Sequence, residues 1–283
     1  MSSEQPLILS HLQAAPLLAA QAKGETEATT SPDLGLSTVA VQLDAAGVHF
    51  PNGESVPWDE LRHIAATPNA CFTVQAGHAE PIRVFSDTTG WVRGLMPTSG
   101  APTTLVSGIT MHRIQGIDPW ADTERKVKAA APLTGRVLDT ATGLGYTALL
   151  AARSAAEVIT IELDPAALEI AALNPWSREL FSNPRITRIT GDAAEVVTTF
   201  PAGHFSVIIH DPPMLNMAGE LYSLSFYREL RRILARRGRL FHYIGDPDSP
   251  SGRNTTRGVI RRLQDAGFQR VTRRPEAFGV LAG

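Results

Sequence analysis

From Arg136 onward the chain alternates short apolar runs with amphipathic stretches, and this alternation restricts the fold more than any other feature. Arg136–Thr140, Glu157–Glu162, Arg185–Ile189, Phe205–His210 and Arg239–Ile244 have strand length and composition, and Gln269–Arg273 and Phe278–Leu281 supply two final strands. Between them, Tyr146–Arg153, Pro165–Leu173, Ala193–Phe200, Ser225–Ala235 and Thr256–Ala266 carry helical patterning. Strands separated by helices pair through crossovers and lie parallel, so the pattern predicts an α/β, doubly wound sheet.

The earlier part reads differently. Leu7–Ala20 is apolar, with Glu4 where a signal peptide carries Lys or Arg and with Pro16 inside it, so it reads as a short docked helix. Gly24–Ser37 reads as a loop. Strand-like Thr38–Leu43 and Val48–Phe50 lead to the Pro51-Asn52-Gly53 turn, and a short helix follows to about Ala65. Cys71–Gln75 and Pro81–Phe85 suggest another hairpin. Residues 1–108 are therefore expected to form a small N-terminal α+β domain of unassigned role, and 109–283 the main domain.

In the main domain the first strand runs through Val137-Leu138-Asp139-Thr140-Ala141-Thr142 into Gly143-Leu144-Gly145 and a helix. Ligands of such sheets bind at the carboxyl ends of strands, where glycine lets the backbone approach closely. A lone Gly-x-Gly is a weak signal; it gains weight from Glu162, which ends the next strand at the place where a carboxylate accepts ribose hydroxyls. Together they specify a nucleoside. A pyrophosphate would be repelled by Asp139, just ahead of the turn, whereas a sulfonium would be attracted. Gly191-Asp192-Ala193 closes the third strand, placing Asp192 to contact an adenine amino group, to cap the following helix, or both. His210-Asp211-Pro212-Pro213 ends the fourth, and its prolines hold Asp211 at the sheet edge, either as a structural turn or as a carboxylate that orients or deprotonates a nucleophile. His210 itself reads equally well as packing under the sheet.

These four stations, in this order, resemble the class I S-adenosylmethionine-dependent methyltransferases over residues 110–283. The resemblance implies a Rossmann-like methyltransferase sheet in which Asp139, Thr140, Ala141, Gly143 and Gly145 line the methionine part of S-adenosylmethionine. Glu162 would hold the ribose, Asp192 with Ala193 the adenine, and Asp211 would be catalytic, facing the acceptor. Ala141 replaces the first glycine of the usual Asp-x-Gly-x-Gly-x-Gly. More closely, Asp139–Thr147, Asn174–Leu180 and His210–Pro213 look like an uncharacterised prokaryotic family of predicted methyltransferases. Gly219–Ser223 with Phe226–Leu230 is similar to spermidine-synthase-type aminopropyltransferases, which use decarboxylated S-adenosylmethionine, although their Gly-Gly-Gly-Asp-Gly turn is absent. Asp-Pro-Pro also resembles the motif of amino-group methyltransferases, where an aromatic follows; here Met214 follows, and Tyr222 is the aromatic within reach.

The expected activity is methyl transfer to a nitrogen or oxygen nucleophile. The alternatives are aminopropyl transfer, or an RNA-binding or nucleoside-sensing module without turnover. RNA enters as a candidate partner because residues 220–283 hold 13 arginines against 6 acids, although arginines also commonly solvate helix faces. Met111–Arg113 and Asp118–Trp120 read as a lid over the donor or as a linker, and Gly245–Arg253 as a loop over the same sheet end. With Cys71 alone and histidines scattered, neither a disulfide nor a metal site is expected. No apolar run approaches membrane-helix length, so the cytoplasm is the expected location, and a homo-oligomer is left open.

Overall fold

A computed structural model describes residues 6–215, 218–246 and 249–283; Glu4, and Pro247 within the Gly245–Arg253 loop, lie outside them. The chain divides into two units, Met1–Pro119 with Ala166–Arg178, and Trp120–Pro165 with Glu179–Gly283. The first division falls beyond residue 108 because Ile109–Thr110 pairs as a strand with Leu105 and Val106, and the Met111 amide donates to the Thr104 carbonyl at 2.9 Å.

The first unit contains three antiparallel sheets, two of which contribute to an apolar cluster. Leu7–Leu9, Phe72–Gln75 and His78–Pro81 form one; Glu27–Thr30, Val39–Leu43, Gly47–His49 and Ser55–Pro57 the second. The third comprises Arg83–Phe85, Val92–Met96, Thr103–Val106 and Ile109–Thr110. Leu9, Leu17, Val48, Leu61, Ile64 and Phe72 are buried together in the cluster. Two expectations are corrected here. The run from Leu7 is not all helix: Leu7–Leu9 pairs as a strand, and Ser10 starts the helix His11–Ala22 through a capping box with Gln13. Nor is Gly24–Ser37 all loop, since Glu27–Thr30 pairs with Val39–Leu43.

The second unit holds the expected sheet. Its strands are β1 (Arg136–Asp139), β2 (Glu157–Glu162), β3 (Ile186–Thr190), β4 (Phe205–His210), β5 (Leu234–Tyr243), β6 (Val271–Arg274) and β7 (Gly279–Ala282). The helices that accompany it along the chain are α1 (Pro119–Ala130), α2 (Tyr146–Ala152), α3 (Pro165–Leu173), α4 (Arg178–Ser182), α5 (Ala193–Thr199), α6 (Leu224–Ile233) and α7 (Pro250–Asp265), of which α3 belongs from Ala166 onward to the first unit. Strand order is β3-β2-β1-β4-β5-β7-β6, parallel except for β7, which runs antiparallel to both neighbours. Leu138, Ile208 and Leu240 lie side by side on β1, β4 and β5, all fully buried among Val197, Phe226, Leu230, Val259 and Leu263. The order reverses between β1 and β4, so a crevice is expected at the carboxyl ends of those strands. Among the described residues no helix is long and apolar enough to cross a membrane.

Candidate active site

The residues at this switch point start from Asp139, the last residue of β1. Its carboxylate is fully buried. Oδ2 accepts from the Thr160 hydroxyl at 2.8 Å, and Thr160 in turn meets the Thr142 hydroxyl at 2.6 Å. Oδ1 has no hydrogen-bond partner among the described residues. Burial pushes the Asp139 carboxyl up to about 8, with the negative charges of Asp211 and Glu162 adding to it and the Thr160 hydroxyl and Ala141 amide pulling back.

The turn after Asp139 is set by its neighbours on both sides. The Thr140 amide donates to Ile209 O at 3.2 Å and the Thr142 amide to Ile161 O at 2.9 Å. The two glycines then do different jobs. Gly143 has φ +51° and open space where a Cβ would stand, so its face is available to a ligand. Gly145 has φ +78° at the N-cap of α2, and a Cβ there would lie 2.6 Å from Leu180 Cδ2. Packing against Leu180 therefore requires glycine at this position.

Glu162, at the end of β2, accepts from the Gly143 amide at 2.8 Å and from the Asp164 amide at 3.1 Å. It therefore holds the turn in shape. Asp192 accepts from the Ala194 amide at 2.8 Å and caps α5, while Ala193 contributes its side chain to the core. Thr140 faces inward: its hydroxyl lies 2.6 Å from His210 Nδ1. His210 Nε2 donates to Leu221 O at 3.0 Å, so Nδ1 accepts from Thr140. Burial lowers His210 to about 4, which keeps it neutral, and its ring lies 4.4 Å from that of His242. Both histidines are structural residues beneath the site.

Asp211 is the one station whose partner the motif does not disclose. Lys126 of α1 donates to its Oδ2 at 2.7 Å and lies 3.2 Å from Asp122, one turn earlier. The lysine side chain is only 3% exposed, against 19% for Asp211, and its ammonium sits 4.0 Å from the centre of the Tyr243 ring. Burial opposes this ammonium, but the Asp211 and Asp122 carboxylates outweigh it and hold its pKa above the usual lysine range. The Tyr222 hydroxyl donates to Pro213 O at 3.1 Å, bracing the Pro-Pro turn. In the structure the buried stripe of α1 is Pro119, Asp122, Thr123, Lys126 and Ala130, so two charged residues lie on its core face, a pattern that no apolar periodicity in the sequence announces.

The chemistry of this donor set suits a nucleoside carrying positive charge. A buried carboxylate oxygen lacks a partner, a glycine face is open beside it, and Glu162 and Asp211 add negative potential. An anionic pyrophosphate would meet repulsion from the Glu162 and Asp211 carboxylates.

No family model matches the chain. It is 43% identical over 235 residues to the uncharacterised protein MJ1233 of Methanocaldococcus jannaschii, spanning 82% of this chain and 80% of the relative. A stretch of 113 residues is 30% identical to polyamine aminopropyltransferase 2 of Streptomyces coelicolor, spanning 38% of this chain and 20% of that protein. Among solved structures, a spermidine synthase in complex with the transition-state analogue AdoDATO superposes with a TM-score of 0.58 at 20% identity, covering 73% of this chain and 76% of the other. MnmC2 of Aquifex aeolicus gives 0.52 at 19% identity, over 68% and 70%. The chain thus belongs to the family of MJ1233 and has the α/β fold shared by class I methyltransferases and spermidine synthases.

Proposed function

We propose that this chain is a transferase that uses S-adenosylmethionine to methylate a nitrogen or oxygen nucleophile brought to Asp211. The observation that carries the reading is the buried, half-partnered Asp139 carboxylate beside the open face of Gly143 and the Glu162 carboxylate. When bound, the sulfonium supplies an activated methyl group. A sulfonium beside Asp139 favours loss of its proton, so that the carboxylate pairs with the positive charge; Glu162 receives the ribose hydroxyls, and the partly exposed Asp192 is left to the adenine. Asp211 aligns the acceptor and receives its hydrogen bond.

Aminopropyl transfer from the decarboxylated donor is the second reading. It draws on the stretch similar to the Streptomyces aminopropyltransferase and on the spermidine-synthase fold. Thermal unfolding with S-adenosylmethionine, its decarboxylated form and NAD in parallel separates the readings. A ligand at about 100 times its dissociation constant adds roughly 2.7 kcal/mol. The largest shift is expected with S-adenosylmethionine; a larger one with the decarboxylated donor supports the second reading, and a response to NAD alone overturns both.

A further inference from the structure

The Lys126 cluster is not needed to bind a donor, yet it is built at some cost. An ammonium taken out of water is expensive unless it is paired and hydrogen-bonded, and apolar side chains could fill the same volume. Here it stands between two carboxylates from different elements, Asp122 one turn back on α1 and Asp211 just after β4, with the Tyr243 ring of β5 over it. The remaining groups near Asp211 are the Tyr222 phenol, the Asp139 carboxyl and the neutral His210 imidazole. Lys126 is the cation of this cluster, and its geometry reaches one oxygen of Asp211, Oδ2 at 2.7 Å.

We propose that Lys126 is a positioning residue: its buried ammonium pins one oxygen of Asp211 and offsets its charge, leaving the other oxygen to the acceptor and the donor's positive charge to Asp139. Without the lysine, Asp211 would be free to swing and would compete with Asp139 for the sulfonium, holding the donor where the acceptor must enter. The assignment rests on the S-adenosylmethionine reading, and the tests below keep the two apart.

The first test compares affinities for S-adenosylmethionine and its uncharged product, S-adenosylhomocysteine, by calorimetry. K126M is expected to shift the ratio toward the cation by about fivefold, the effect of one unit charge acting at intermediate dielectric over several ångströms. K126R should restore the ratio, and K126M/D211N should return it close to wild type. A purely structural lysine would weaken both ligands alike, so an unchanged ratio in K126M overturns the proposal.

The second test needs no ligand. In aspartate-labelled protein the Asp211 carboxyl resonance, assigned by its loss in D211N, should titrate at higher pH in K126M than in wild type, with K126R close to wild type. Identical titrations overturn the assignment. If K126M fails to fold, K126R carries both tests: it should keep wild-type behaviour, and a ratio or titration displaced from wild type overturns the proposal. Wild-type protein that binds neither ligand fails the donor reading, while the titration still decides the role of Lys126.

Discussion

Asp139 shows how the burial of a single carboxyl makes the stability of a fold depend on pH. Its carboxyl is raised by burial from the ordinary 3.8 to about 8. Between those values the unfolded chain is ionised there while the folded one holds the proton. Stability from this group is therefore complete below about 4 and declines by about 1.4 kcal/mol per pH unit until the folded group ionises near 8. D139N removes the titration. Its unfolding free energy should exceed that of wild type by a margin that widens from pH 5 to pH 8, while affinity for S-adenosylmethionine collapses. Urea unfolding across that range checks the first statement and calorimetry the second; parallel pH profiles in the two proteins would place Asp139 outside this account. Glu162 has the opposite balance, because its oxygens already accept from two backbone amides. E162A should lose donor binding and also about 1–3 kcal/mol of stability, since two amides lose a charged acceptor. An E162A protein of full stability with no donor binding would mean that the turn does not depend on Glu162.

At the scale of elements, the turn between β1 and α2 contains two glycines that a motif treats alike and the structure separates. G143A meets open space and only the left-handed backbone penalty, on the order of 1–2 kcal/mol, but places a methyl in the crevice. G145A meets the same penalty and drives a methyl into Leu180, adding a packing cost of about 1–3 kcal/mol. The expected order is that G143A melts close to wild type but loses donor affinity, whereas G145A melts lower and regains part of that loss in G145A/L180A. The reverse order would exchange the two roles. This distinction was not legible in the sequence, because Leu180 reaches Gly145 from α4, whose approach no local pattern records. Six of the seven strands of the large sheet were legible to within a residue or two, because buried parallel strands read as apolar runs, and Phe205–His210 and Glu157–Glu162 have the bounds their composition predicts. The exception is β5, which begins at Leu234 rather than Arg239, because Arg236, Arg237 and Gly238 interrupt its apolar run. The other misreadings fall on short antiparallel strands. Glu27–Thr30 is too polar to announce itself, and Leu7–Leu9 is hidden in a continuous apolar run that only the Ser10 cap divides. Lys126 lay beyond sequence reading for a different reason: its partner is 85 positions away, and only the folded sheet brings it near.

For the molecule as a whole, the arginine excess of residues 220–283 must be divided between packing and surface before it says anything about a partner. Arg232 donates to the carbonyls of Val197, Thr198 and Phe200 at the end of α5, and Arg239 to Ala131 O. Arg231 donates to Gly267 O and Leu234 O. These three satisfy helix ends and strand starts, and their charge is a by-product of that role. A regular array lies on the exposed stripe of α7, where Arg253, Arg257 and Arg261 recur every four residues, Arg257 donating to Asn254 and Arg261 lying 3.8 Å from Asp265. Three cations can neutralise about three phosphates of single-stranded RNA, which predicts a slope of roughly −2 for the logarithm of affinity against the logarithm of salt. Attraction of that size is weak at physiological ionic strength and carries no sequence preference. Binding of a labelled single-stranded oligonucleotide should therefore be measurable only at low salt and vanish in R253E/R257E. R232A should lower the melting temperature yet leave the oligonucleotide affinity unchanged. A slope much steeper than −2, or binding that survives R253E/R257E, would show that RNA is held by another surface, and the α7 stripe would then be solvated helix and nothing more.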